Sequence, residues 1–139
     1  MTITIQKVNS IQKNLRYFYI YRISSRFYFH LPILFPFLFQ LDIGVFLTEV
    51  LLATYGLSIT LASDLNISTV LSKHLKQKYV IATGELLKAT GLLLIILGTM
   101  VSHVNFWLPL IGQILGGIGF SIAISTDTSL LRSLIESET

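Results

Sequence analysis

Two of the few ionisable side chains in this sequence are spaced to act together. Glu85 and Lys88 are three residues apart, which puts them on one face of a helix. They stand within roughly three turns of the basic end of a long aliphatic run. The pair reads either as a structural ion pair whose lysine reaches toward water, or as a gate contact with the preceding loop or Asp127. Asp64, at the end of another apolar run, carries the same two readings, and Glu49 reads as solvated. His30, Gln40, Tyr55, Gln113 and Ser121 are polar residues set singly inside apolar stretches. Each reads either as a hydrogen-bonding group inside a bundle or as a contact for a solute.

Enzyme chemistry lacks its usual parts. Cys is absent, and no Gly-x-x-x-x-Gly-Lys phosphate loop and no His/Glu set at metal spacing occurs. His30, His74 and His103 fall in a span, an inner loop and an outer turn, so they cannot share a metal. The reading is a non-enzyme, without cofactor or metal.

The elements that would position these residues follow from composition. Of 139 residues, 53% are hydrophobic and 12% are charged, half the usual charged share of a soluble domain. That excludes an ordinary water-facing surface, and disordered chains are apolar-poor and highly charged. A polytopic all-α membrane protein remains. The sequence is free of charge from Ala89 to Thr126, about 57 Å as one helix, against a hydrocarbon core of roughly 30 Å. It must turn between Gly98 and Asn105, with Phe106, Trp107 and Pro109 opening the next span. The predicted spans are about 23–42, 46–65, 80–100 and 106–126. Pro32 and Pro36 predict a bend in the first, and Asp42-Ile43-Gly44 a tight turn after it.

Residues 1–22 form a basic, aromatic lead-in. Tyr17-Phe18-Tyr19-Ile20-Tyr21, flanked by Arg16 and Arg22, is too short to span and suits the headgroup layer. All Lys and Arg except Lys88 fall before the first span or, for Arg26, in its first turn, between the second and third, or after the fourth. The positive-inside rule then puts both termini in the cytosol. It also accounts for a pI near 9.3 without nucleic acid. Gly84, Gly91 and Gly98 recur every seven residues and, with Gly112-x-x-x-Gly116, read as close helix packing.

Several segments resemble the N-terminal end of bacterial major facilitator superfamily transporters. They are Arg26-Phe27-Tyr28-Phe29-His30-Leu31-Pro32, Tyr55-Gly56-Leu57, the run from Gly84 to Gly91, the run from Gly112 to Gly119, and Thr126 to Leu131. The resemblance covers about residues 22–135 and implies the first four of twelve helices, a partial N-terminal half. In that family a loop of the form Gly-x-x-x-Asp-Arg-x-Gly-Arg-Lys joins spans two and three. Here Thr69, Lys73 and Lys76 stand in place of its first Gly, its Asp and its second Gly, and Lys78 keeps the closing basic residue. The family's acidic residue holds the outward-facing state, so Lys73 reverses the charge of a gate. In span four, Gln113 takes the position of a family Arg and Gly116 that of a Gln, while Gly117 and Gly119 match. The resemblance implies a cytosolic gate of Asp64, Lys73, Lys78, Glu85, Lys88 and Asp127. It also implies a substrate pathway past His30, Gln40, Tyr55, Gln113 and Ser121, in a bacterial inner membrane.

Two functions stand open at this level. The first is solute transport by alternating access, in a fragmentary member that is inactive alone and needs its missing helices or further copies of itself around an unknown small solute. The second is a self-contained four-helix membrane protein, either an oligomeric small exporter or a non-transporting assembly partner. Small exporters carry a carboxylate within the first helix, and span one has none before Asp42.

Overall fold

A computed structural model of the chain describes residue 13 and residues 15–24, 30–40, 43–100 and 106–136. All regular structure among the described residues is helical: α1 (15–24), α2 (His30–Gln40), α3 (Val45–Asp64), α4 (Ile67–His74), α5 (Gln77–Met100) and α6 (Trp107–Glu136). The chain divides into two compact units, Met1–Pro36 and Phe37–Thr139. In the first, α1 carries the aromatic run expected to lie on headgroups. Phe18 is buried there with its ring 6.4 Å from that of Tyr19, while Tyr17, Tyr19, Ile20 and Ile23 are exposed.

Among the described residues three helices are long and apolar enough to cross a membrane: α3, α5 and α6. The expected first span is represented by α2, which includes Pro36 and has 11 residues, about half the length a crossing needs. The rest of that expected span, residues 25–29 and 41–42, lies outside the described residues. The second and third spans match closely, α5 starting three residues earlier than the sequence predicts. The fourth does not end near 126. α6 runs to Glu136, 30 residues in all, because Asp127 and Arg132 end the apolar stretch without ending the helix. No Pro or Gly follows Gly119, and Leu130 and Leu131 keep the helical pattern going.

α6 is the centre of the second unit. Half of its apolar window is buried, against 22% in α3 and in α5, because it packs against α5 on one side and α3 on the other. Both seams depend on glycine. A Cβ on Gly91 would stand 2.5 Å from the Gly112 carbonyl oxygen, and one on Gly112 would stand 2.5 Å from that of Gly91. Gly84 and Gly119 oppose each other in the same reciprocal way, at 2.8 and 2.6 Å. As residue numbers rise on α5 they fall on α6, so the two helices are antiparallel. On the other side, Gly117 lets the Tyr55 carbonyl and Ser58 Cβ of α3 approach, each within 2.7 Å of where its own Cβ would be. Each glycine costs a helix about 0.5–1 kcal/mol relative to alanine. That cost is offset by dispersion contacts between backbones, the main attraction between helices in lipid.

Two turns carry positive φ. Gly44, at φ 84° and ψ 151°, precedes α3 where the Asp42-Ile43-Gly44 turn is expected, in a region open essentially to glycine alone. Asn66 is left-handed at φ 51° and ψ 38°, between α3 and α4. Its backbone N–H donates to Ser63 O at 2.9 Å, and its Nδ2 donates to Asp64 O at 3.2 Å. Asparagine tolerates this conformation; a β-branched residue does not. Asn66→Val is expected to destabilise the purified chain by about 1–2 kcal/mol, with Asn66→Gly near neutral, in detergent unfolding titrations.

Candidate functional site

On α5 the positions facing α6 advance in alternating steps of three and four: Ile81, Gly84, Lys88, Gly91, Ile95 and Gly98. All are buried except Lys88. A lysine thus occupies the middle of the glycine seam. Its backbone N lies 2.8 Å from where a Cβ on Gly119 would be, which leaves its side chain to find room beside the seam. There Lys88 Nζ donates to Glu85 Oε2 at 2.7 Å, with the two side chains 20% and 34% exposed.

The bounds of α5 place the pair about two to three turns from its start. α5 begins at Gln77, so Lys88 lies about 16 Å from one end and about 18 Å from the other. It sits at mid-length rather than near an end. Lys88 itself does not reach the level of Asp127. A Cβ on Gly84 would lie 2.9 Å from Ala123 N, which makes those two residues level. Asp127 is one turn beyond Ala123 and Lys88 one turn the other way, a separation of about 12 Å along the axes. Asp127 is buried at 4% exposure, deep at the far end of α6 rather than at a solvated gate.

The remaining gate candidates spread out. Asp64 is the exposed last residue of α3, Lys73 lies on α4, and Lys78 is the second residue of α5 with its Nζ 4.9 Å from the Tyr79 ring centroid. Of the gate candidates, the structure brings Glu85 and Lys88 together at 2.7 Å.

Of the pathway candidates, His30 and Gln40 begin and end α2, and their side chains lie outside the described residues. Tyr55 packs its ring 6.2 Å from that of Phe120, and its Cε2 fills the space 3.5 Å from where a Gly116 Cβ would be. Ser121 is buried, and its carbonyl accepts a hydrogen bond from Ser125 Oγ. Gln113 is 2% exposed, and its Nε2 has no hydrogen-bond partner among the described residues. An unmet amide donor of this kind costs about 1–3 kcal/mol.

Two buried hydroxyls are already served. Ser58 Oγ donates to Thr54 O at 2.8 Å and Thr126 Oγ1 to Ile122 O at 2.8 Å. Each satisfies itself on its own helix and leaves no donor for a neighbour or ligand. Gln113 Nε2 is therefore a buried donor with capacity left, and the Glu85–Lys88 pair is partly open to its surroundings. Sequence reasoning passed over Thr48, fully buried on α3 with its Oγ1 donating to Gly44 O at 3.0 Å. It also passed over the Gly117–Ser58 contact, for which Gly117 beside Gly116 was the available signal. Among the described residues no three His, Asp or Glu side chains converge as metal ligands.

No family model, curated protein or solved structure matches this chain.

Proposed function

We propose that the chain is a polytopic membrane protein of the secondary-transporter type, moving a small solute by alternating access. In this reading α3, α5 and α6 cross the bilayer, and the segment of about 23–42 supplies a fourth span. Both termini and α4 lie in the cytosol, and the membrane is a bacterial inner membrane, as for the major facilitator superfamily that the sequence resembles. The observation that supports it is the Glu85–Lys88 pair at mid-length of a membrane-length helix, paired at 2.7 Å and still partly open. Ionisable groups at that depth are expensive, and they mark solute or ion pathways in membrane proteins. Gln113, buried with donor capacity to spare, adds a neutral polar group on the helix packed against α5.

Alternating access requires interior positions to meet water from each side in turn. Gln113→Cys is therefore expected to react with a membrane-impermeant maleimide in both right-side-out and inverted vesicles. It should react faster than Leu93→Cys, which replaces an exposed leucine of α5 that faces lipid in this reading. Protection of Gln113→Cys from both sides would mean a static bundle and would contradict transport.

A further inference from the structure

The segment between α3 and α5, expected as a plain loop, contains a helix that touches α6 and leaves its apolar stripe only half-covered, with Ile67 and Leu71 half-buried and Val70 exposed. Ile67, Val70 and Leu71 of α4 lie at positions i, i+3 and i+4, one helical face, yet no residue of α4 is buried. Val70 is 50% exposed, and Leu65 and Leu75, which flank α4, are 69% and 43% exposed. Basic residues surround this apolar surface. Lys73, His74, Lys76 and Lys78 are all exposed, and no acidic residue occurs between Asp64 and Glu85. Asp64 on α3 and Arg132 on α6 are also exposed, so the surroundings add charges of both signs and leave the segment basic. Tyr79, 53% exposed with the Lys78 ammonium against its ring, is the amphipathic aromatic that favours the depth of lipid headgroups.

We propose that α4 and the first turn of α5 form a docking surface for the headgroups of anionic phospholipids of the surrounding bilayer. Val70, the exposed member of the apolar stripe, enters the boundary between headgroups and acyl chains. Lys73, Lys76 and Lys78 bind headgroup phosphates. Charge complementarity selects this occupant: a basic, partly apolar surface between two membrane-length helices faces the anionic, partly apolar layer of the leaflet. The inference rests on the part of the preceding reading in which α3 and α5 cross a bilayer, and it is independent of transport.

The test uses the full chain reconstituted in phosphatidylcholine vesicles. Electron paramagnetic resonance compares the association of spin-labelled phosphatidylglycerol with that of spin-labelled phosphatidylcholine. The wild-type chain is expected to prefer phosphatidylglycerol at low salt, with the preference shrinking as salt rises. Lys73→Gln/Lys76→Gln/Lys78→Gln should lower it by roughly five-fold for each lysine that reaches a headgroup. Lys73→Arg/Lys76→Arg/Lys78→Arg, which keeps the three charges, should leave it in place, and unchanged helical circular dichroism shows that each variant is folded. Equal association of the two lipids with the wild-type chain, or an unaltered preference in the triple variant, overturns the proposal. So does displacement of the lipid by inorganic phosphate at matched ionic strength, which would make this a site for the free anion. A chain that fails to float with vesicles overturns the bilayer crossing itself, whereas loss of Gln113→Cys labelling touches transport alone.

Discussion

Gly91→Ile is expected to separate α5 from α6 and to abolish the folded hairpin they form. The physical reason is the absence of any compliant atom at the contact. A Cβ at Gly91 would meet the Gly112 carbonyl oxygen at 2.5 Å, Gly116 N at 2.8 Å and Gly116 Cα at 3.1 Å. All three are backbone atoms, so no rotamer change relieves the clash. Overpacking a core with flexible neighbours costs about 1–3 kcal/mol, and a backbone-to-backbone seam should reach or exceed the top of that range. Gly56→Ala is the matched control. Gly56 also lies within a membrane-length helix, but a Cβ there meets nothing within 4 Å, so its substitution should not destabilise and should gain up to about 0.5–1 kcal/mol of helix propensity. Unfolding titrations in mixed micelles read both variants. Equal stability of Gly91→Ile and the wild type would dissolve the α5–α6 seam as described.

The second large effect is expected at the mid-helix ion pair, and its size identifies the surroundings. In water, a pair spaced i, i+3 on a helix contributes about 0.2–0.5 kcal/mol. At the centre of a bilayer, a charge deprived of its counter-ion costs about 2.5–3.5 kcal/mol on insertion scales. Lys88→Met removes the Nζ that stands 2.7 Å from Glu85 Oε2, and Glu85→Gln removes the carboxylate. Each single variant is expected to lose about 2 kcal/mol or more. The double variant Glu85→Gln/Lys88→Met should recover much of that loss, with a coupling of about 1–3 kcal/mol. Additive losses of a few tenths each would place the pair in water and remove the main support for a solute pathway.

Much of the second unit was legible because its rules are local. Glycines seven apart must lie along one side of a helix, and Gly84, Gly91 and Gly98 do line the α6 seam. The turn before α3 was written in Asp42-Ile43-Gly44, since a φ of 84° suits glycine. The Glu85–Lys88 pairing followed from spacing alone. The start of α5 was set three residues late, because it was read from hydropathy, and Gln77, Lys78 and Tyr79 are polar residues that a helix accepts readily. The same error in the opposite direction hid the last turns of α6, where Asp127 and Arg132 were taken to stop a helix rather than an apolar stretch. α4 was missed because its window was compared with a loop pattern. Asn66, followed by Ile67, Val70 and Leu71, was the signal of a short amphipathic helix. The state of Gln113 was not legible at all, since satisfaction of an amide depends on the residues opposite it and those come only from packing.

Everything proposed about function depends on α3, α5 and α6 threading a bilayer in a fixed direction, and paired cysteine accessibility in intact cells measures this most directly. The chain has no cysteine of its own, so single introduced cysteines report without background. With α4 in the cytosol, Asn105→Cys, between α5 and α6 in sequence, is expected to react with an impermeant maleimide added outside. Lys76→Cys, between α4 and α5, should react only after the membrane is opened. Labelling of Lys76→Cys from outside with Asn105→Cys protected, or equal labelling of both in intact cells, would contradict the account.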